Sequence, residues 1–222
     1  MEKSKKQAYE SEYHQRLHEY LYNNEEYYNA RAELALIKYF KNFPKESKTL
    51  EWGCGLGQNI YLVKNSIGYD ISKFAITFCK KKGINATNNL RKIKGNSFDI
   101  IISSHVLEHL ENPFPVLKEI HRKLKKGGKL ILILPVEARK FPGRIAEMEG
   151  SQHLYCWNFR TIDNLLIKAG FTPIENTYLY GTAYHFLLKI SRISFKMYYL
   201  LTKIVAHLLN RKEMKIIAIK GD

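Results

Sequence analysis

The sequence predicts an α/β fold, a parallel sheet with helices on both faces. Three observations support this. Short apolar strands alternate with helical segments over residues 48–136. Two stretches, "FDIIIS" (98–103) and "KLILILP" (129–135), are apolar on both faces, as buried parallel strands are. A loop with three alternating glycines follows the first strand, at the edge where such sheets place ligands.

The elements read in order. Residues 1–45 form a tyrosine-rich helical cap, with Leu34, Ile37 and Phe40 at helical spacing and Pro44 as its stop. Residues 46–222 form the main domain. "KTLEWG" is its first strand, and a helix is expected over 58–64. "SIGYD" is the second strand. Residues 72–83 are a helix, with Ser72 as N-cap and Gly83 as stop. "INAT" and "FDIIIS" are strands three and four. A helix is expected over 112–128, with Pro113 in its first turn, lysines in its last, and Gly127 and Gly128 ending it. "KLILILP" is strand five. "RTIDNLLIKAGF" is a helix, "TPIENTYLY" strand six and "EMKIIAIKGD" strand seven.

Composition narrows the setting. The 222 residues allow one substantial core. The net charge of +15 favours anionic partners, although much of the lysine reads as solvated helix surface. Cys54, Cys79 and Cys156 are scattered and odd in number, so neither a disulfide framework nor a zinc-type spacing is expected, and no metal is assigned. The first residues lack an apolar signal core, and no apolar run is long enough to span a bilayer. A cytoplasmic protein is expected.

The loop reads "LEWGCGLGQNI". A dinucleotide fingerprint would be G-x-G-x-x-G with an acid about 20 residues on. Here the pattern is G-x-G-x-G after Glu51, and Asp70 ends the next strand. A carboxylate there can accept two hydrogen bonds from a ribose diol. A tight turn holding no ligand remains the alternative for the loop taken alone.

Together, "LEWGCGLGQNI", "GYDIS", "FDIIISSHVLEHLENP" and "HRKLKKGGKLILILP" resemble the small, single-domain class I S-adenosylmethionine-dependent methyltransferases. The resemblance implies a Rossmann-like, seven-stranded, mostly parallel sheet with the last strand antiparallel. It implies S-adenosylmethionine as cofactor. Glu51, Gly53, Cys54, Gly55, Gly57 and Asn59 would face its methionyl end. Asp70 would hold the ribose, with Ile71 near the adenine. Asn88 or Asn89 would stand where many relatives carry an acid for the adenine amino group. Ser103 would lie beside the sulfonium. From the cap, Tyr27, Tyr28 and Arg31 are candidates for the methionyl carboxylate, unless that helix merely covers the sheet.

An alcohol acceptor needs a base, and histidine suits it. His153, in the long loop after strand five, is the first candidate, and His105 the second, although His105 also reads as a pocket-lining residue. Glu108 and His109 resemble a pair shared by members with unrelated substrates, which favours a structural or orienting role. Tyr155 and Trp157 either line an acceptor pocket or anchor their loop. Over 183–209, Phe186, Ile190, Ile193, Met197, Leu200, Ile204 and Leu208 fall in an apolar seam, opposite Lys189, Arg192, Lys196 and Lys203. Packing on the protein's own surface or in a homodimer is favoured for this insertion over contact with the inner face of a membrane.

The expected activity is O-methylation of a small-molecule, glycan or lipid-linked acceptor. Alternatives are an RNA methyltransferase, suggested by the charge, and a non-catalytic cofactor-binding protein. The residues after strand four ("SSHV") do not match the D/N-P-P-Y-like stretch of adenine-N6 enzymes.

Overall fold

A computed structural model describes residues 18–136, 153–181 and 183–221. The remainder of the expected cap, residues 1–17, lies outside these. So do residues 137–152 and residue 182.

Seven strands form one sheet in the order β3-β2-β1-β4-β5-β7-β6. They are β1 (Thr49–Trp52), β2 (Ser66–Tyr69), β3 (Ala86–Thr87), β4 (Phe98–Ser104), β5 (Leu124–Pro135), β6 (Phe171–Tyr180) and β7 (Lys212–Lys220). Strands β1 to β5 pair in parallel, while β7 runs antiparallel to both β5 and β6. The expected sheet, with its reversed last strand, is what forms.

Side chains alternate across each strand, so the apolar runs feed two cores. Leu50, Ile101, Leu130, Leu132 and Leu134 face one layer, with Leu117 and Ile120 of α4 (Pro113–Lys123) and Ile162 and Leu166 of α5 (Phe159–Lys168). Ile100, Ile102, Ile131 and Ile133 face the other, with Ile76 and Cys79 of α3 (Lys73–Lys81) and Tyr39 and Phe40. Helix α3 starts at Ser72, whose hydroxyl accepts from Ala75 N at 3.1 Å. The cap contains α1 (Glu19–Asn23) and α2 (Glu25–Ala35), and α2 runs on into a π-helical turn at Leu36–Phe40.

Three expectations are corrected. Residues 58–64 form no α-helix. Gly57, Ile60 and Val63 each donate to the carbonyl three residues back, giving a chain of tight turns. Such winding rises about 2.0 Å per residue against 1.5 Å in an α-helix. It therefore spans the short return to β2 with fewer residues. Helix α4 stops at Lys123 rather than at the glycines. Leu124 is fully buried in the core and pairs with Phe98, so the chain passes into β5 there; Gly127 (φ +72°) then lies in the irregular stretch where the register shifts before Lys129 pairs with Ile100.

The insertion is not one continuous helix. A 3-10 turn (His185–Leu187) and α6 (Leu188–Ser191) are separated by a turn from α7 (Phe195–Leu208). Ser194 caps α7 by accepting from Met197 N. The predicted seam is also not what packs. Tyr198, Thr202 and Ala206 face the protein, whereas Ile193 and Leu208 are 81% and 78% exposed. Ala183, Leu188 and Tyr198 pack on Ala30 and Leu34 of α2. The insertion thus rises from the carboxyl end of β6 and leans on the cap.

Candidate active site

The glycine loop leaves β1 and doubles back over the end of β2. Gly53 N and Cys54 N both donate to Tyr69 O, at 2.8 and 3.0 Å. Two glycines are sterically required. Gly53 has φ +75°, and a Cβ there would meet Val106 Cγ2 at 2.3 Å. Gly57 has φ +78°, and its Cβ would meet Ile84 Cδ1 at 2.6 Å. Asp70 closes the loop. Its carboxylate accepts from Gly55 N (2.8 Å) and Ser72 N (2.9 Å). A carboxylate has about four acceptor positions, so these bonds leave capacity for a diol.

Glu51 sits at the floor of the site, almost fully buried. Its Oε1 accepts from Asn59 Nδ2 at 2.6 Å, and Oε2 has no hydrogen-bond partner among the described residues. Burial pushes its pKa up to about 8, against the Asn59 bond, and Asp70 adds to the rise. An orphaned carboxylate oxygen at that depth suits a cation. Next to it, Arg31, Lys38, Asn59 and Glu213 line a cleft between the cap and the sheet. The cleft sets two cationic side chains beside the carboxylate floor, and these fit the two ends of an amino-acid zwitterion.

Several expected residues take other roles. Tyr28 is fully buried; its hydroxyl donates to Leu56 O at 2.8 Å, and its ring packs against Tyr61 and Phe78. It anchors the cap to the loop and does not reach the cleft. Tyr27 donates to Ala183 O instead. Cys54 turns its sulfur into the core beside Gly68, so only its backbone faces the loop's outer side. Ser103 is buried with no hydrogen-bond partner for its hydroxyl among the described residues. Glu51 pairs with Ile102 in register, so alternation puts the Ser103 side chain on the opposite face from Glu51. Ser104, which sequence reasoning passed over, shares the Glu51 face. Asn89 is engaged in accepting from Arg91 N at 3.0 Å. Asn88 is exposed, and Ile71 follows Asp70 directly at the site's edge.

Beyond β4 the chain turns through His105 in the left-handed region, φ +55°. His105 Nε2 lies 3.1 Å from Glu213 Oε1, and Nδ1 lies 3.3 Å from Glu108 Oε1. Burial works against the charged ring, but the two carboxylates outweigh it and lift the pKa to about 9. The ring is therefore protonated at neutral pH, which removes the expected base role. Lys38 and Glu213 complete this ionic row, and neither was singled out from sequence. Glu213 lies far from the glycine loop in the chain, and although Lys38 stands only 13 residues before Glu51, no local pattern marks either of them.

The 3-10 turn Leu107–His109 carries Glu108 and His109. His153 meets them: its ring stands edge-on to His109, with centroids 4.8 Å apart. The segment is pinned by Leu154 N donating to Glu108 O (2.7 Å) and by the Tyr155 hydroxyl donating to Glu111 O (2.9 Å). Trp157 stacks on Tyr155. These two aromatics therefore anchor the loop.

Comparison with known proteins agrees with the fold. Residues 50–132 match a methyltransferase domain family. That stretch is a class I S-adenosylmethionine-dependent methyltransferase domain. S-adenosylmethionine is the cofactor of this methyltransferase domain. An uncharacterised protein of Methanocaldococcus jannaschii is 30% identical over 155 residues, 66% of this chain and 74% of that relative. An S-adenosylmethionine-dependent methyltransferase from Thermotoga maritima, described as a possible histamine N-methyltransferase, superposes with TM-score 0.64 at 20% identity, over 95% of this chain and 99% of that one. One from Archaeoglobus fulgidus gives 0.57 at 18% identity, over 92% and 98%. The [4+2]-cyclase SpnF gives 0.57 at 16%, over 86% and 79%. At such identities the likeness is one of fold, and the methyltransferase fold alone does not set the acceptor.

Proposed function

We propose that this methyltransferase modifies a hydroxyl oxygen of a small-molecule, glycan or lipid-linked acceptor at an anionic membrane surface. When bound, the cofactor supplies a sulfonium methyl: the acceptor oxygen bonds that carbon as the S–C bond breaks, the electron pair stays on sulfur, and the hydroxyl proton leaves. Glu51 holds the methionyl ammonium, Arg31 and Lys38 the carboxylate, and Asp70 the ribose. Asn88 is the remaining candidate at the adenine. The observation that carries the oxygen reading is the His109–His153 pair beyond β4. An imidazole there is suited to take the acceptor's proton.

The reading is tested with labelled S-adenosylmethionine against glycans, quinols, amines and RNA. Transfer to a hydroxyl is expected. His153→Ala should lower turnover about a hundredfold with cofactor affinity retained. Transfer to amines alone, or a tight salt-sensitive RNA complex, would replace the oxygen reading.

Membrane contact is supported by the insertion. Phe186, Ile193, Met197, Leu200, Ile204, Leu208 and Leu209 are all exposed. At helical spacing, Met197, Leu200, Ile204 and Leu208 form one ridge of α7, flanked by Lys196 and Lys203. Residues 176–212 contain six lysines and arginines and no acid. An exposed apolar ridge beside acid-free positive charge complements an anionic bilayer. A homodimer through this face would bring like charges together. No described helix is long and apolar enough to cross a membrane. Vesicles containing phosphatidylglycerol should sediment the protein, and neutral phosphatidylcholine vesicles should not. Leu200→Glu with Ile204→Glu should abolish the binding. Equal binding to both vesicle types, or a stable dimer dispersed by the same changes, refutes this contact.

A further inference from the structure

Glu108 is fully buried, and neither carboxylate oxygen accepts a hydrogen bond among the described residues. His105 Nδ1 lies 3.3 Å from Oε1, and Oε2 accepts no hydrogen bond among the described residues. Leaving a carboxylate at such depth without full compensation costs several kcal/mol. The side chains beside it are imidazoles. One ligand atom each from Glu108, His109 and His153 can be chosen so that all lie within 4.8 Å of one another.

We propose that Glu108, His109 and His153 hold a divalent transition-metal ion at the acceptor side of the site. This inference rests on the methyl-transfer reading for its purpose but not for its test. Two imidazole nitrogens and one carboxylate oxygen suit Zn²⁺, Mn²⁺, Co²⁺ or Fe²⁺ better than an all-oxygen ion such as Mg²⁺ or Ca²⁺. Bonds of about 2.1 Å put two ligands of one ion no more than about 4.2 Å apart. Atoms within 4.8 Å of one another therefore need to close by no more than several tenths of an ångström on binding. His109 and His153 are only partly buried, and small ring rotations supply that movement. The hydrogen bond from Leu154 N to Glu108 O keeps the distant histidine in register with the pair.

Three protein ligands leave coordination positions open, as catalytic sites do. An acceptor hydroxyl taking one of them would be held near the end of β4 and acidified by the ion. Its proton then passes to water; with the ion bound, His153 promotes proton loss as a ligand, and in the metal-free protein the same imidazole is the direct base. The site was invisible to sequence spacing because 44 positions separate His109 from His153.

The test is calorimetric titration of chelator-stripped protein with Zn²⁺ and Mn²⁺, with Co²⁺ absorption reporting the ligand field. One ion per chain is expected. Glu108→Gln and His153→Ala should each weaken binding at least tenfold, and together abolish it. Without metal, Glu108→Gln should melt no lower than the parent, because it removes a buried charge short of donors. Absent binding, or binding unchanged in both variants, overturns the site. Cofactor affinity measured in chelator tests the methyltransferase reading on a separate channel, since Glu51 and Asp70 lie outside the three ligands. Methyl transfer undiminished in chelator would overturn the ion's role toward the acceptor.

Discussion

Lys38 Nζ lies 2.7 Å from Glu213 Oε2, joining the π-helical turn of the cap to the first residues of the last strand. The Lys38 side chain is nearly buried, and its amine also donates to Gly181 O. Burial alone would raise the Glu213 pKa, but Lys38 and His105 hold it well below the usual carboxylate range. The pair closes the cleft on the side facing the cap. Lys38→Met leaves Glu213 with only His105 and Arg31 to offset its burial and should destabilise the fold by about 3 kcal/mol. Denaturant titration of both single variants and the double variant Lys38→Met/Glu213→Gln checks this. Additive losses would show that the two residues are not coupled.

If Glu51 holds the methionyl ammonium as proposed, cofactor binding depends on pH. Its folded pKa is raised to about 8, so it is largely neutral at pH 6 and ionised at pH 9. Binding a cation favours the ionised form. Affinity for S-adenosylmethionine should therefore rise from pH 6 to about 8 and then level off. The free protein shows the opposite trend in stability. A raised carboxyl pKa contributes stability below the unfolded value near 4.3, lost as pH rises through 8. Calorimetry and thermal melts across this range check both signs. Glu51→Gln should bind at least tenfold more weakly and flatten the profile.

Asp70 has a double duty that a single substitution can expose. It accepts from Gly55 N and Ser72 N, and in the proposed function it also holds the ribose. Asp70→Ala loses charge-assisted hydrogen bonds worth roughly 1.5–3 kcal/mol each. Cofactor affinity should drop at least thirtyfold, and amide exchange at Gly55 should quicken in the free protein. Unchanged affinity would remove Asp70 from the cofactor site.

Gly57→Ala should cost more than 2 kcal/mol, because a Cβ at φ +78° meets both Ile84 Cδ1 and Cys79 Sγ within 3 Å. Ile84→Val deletes the nearer of these atoms. The double variant should therefore recover part of the loss in a urea melt, leaving the backbone strain. No recovery would locate the cost in the backbone alone.

The parts of this protein legible in its sequence are those whose signals are local. Strands such as "FDIIIS" declare themselves because both faces must be apolar, and Ser72 and Gly83 mark helix ends through their own backbone chemistry. Glu51, the glycines and Asp70 stand within twenty residues along one strand–loop–strand unit. Even here, local signals erred where packing outranked them. Gly127 and Gly128 advertised a helix end, but the burial of Leu124 ended the helix earlier.

The sequence by itself determined the sheet, its helical layers, the glycine loop and the superfamily, because periodicity and glycine conformations depend on neighbours in the chain. The tertiary structure decided everything that depends on distant residues. It set Lys38 against Glu213, committed Tyr28 to the loop and turned Ser103 away from Glu51. It exposed the apolar ridge of α7 that periodicity had assigned to packing, since a helical pattern shows which residues share a face but not what that face meets. It also brought His153 to Glu108 and His109, a proximity that no short stretch of the chain encodes.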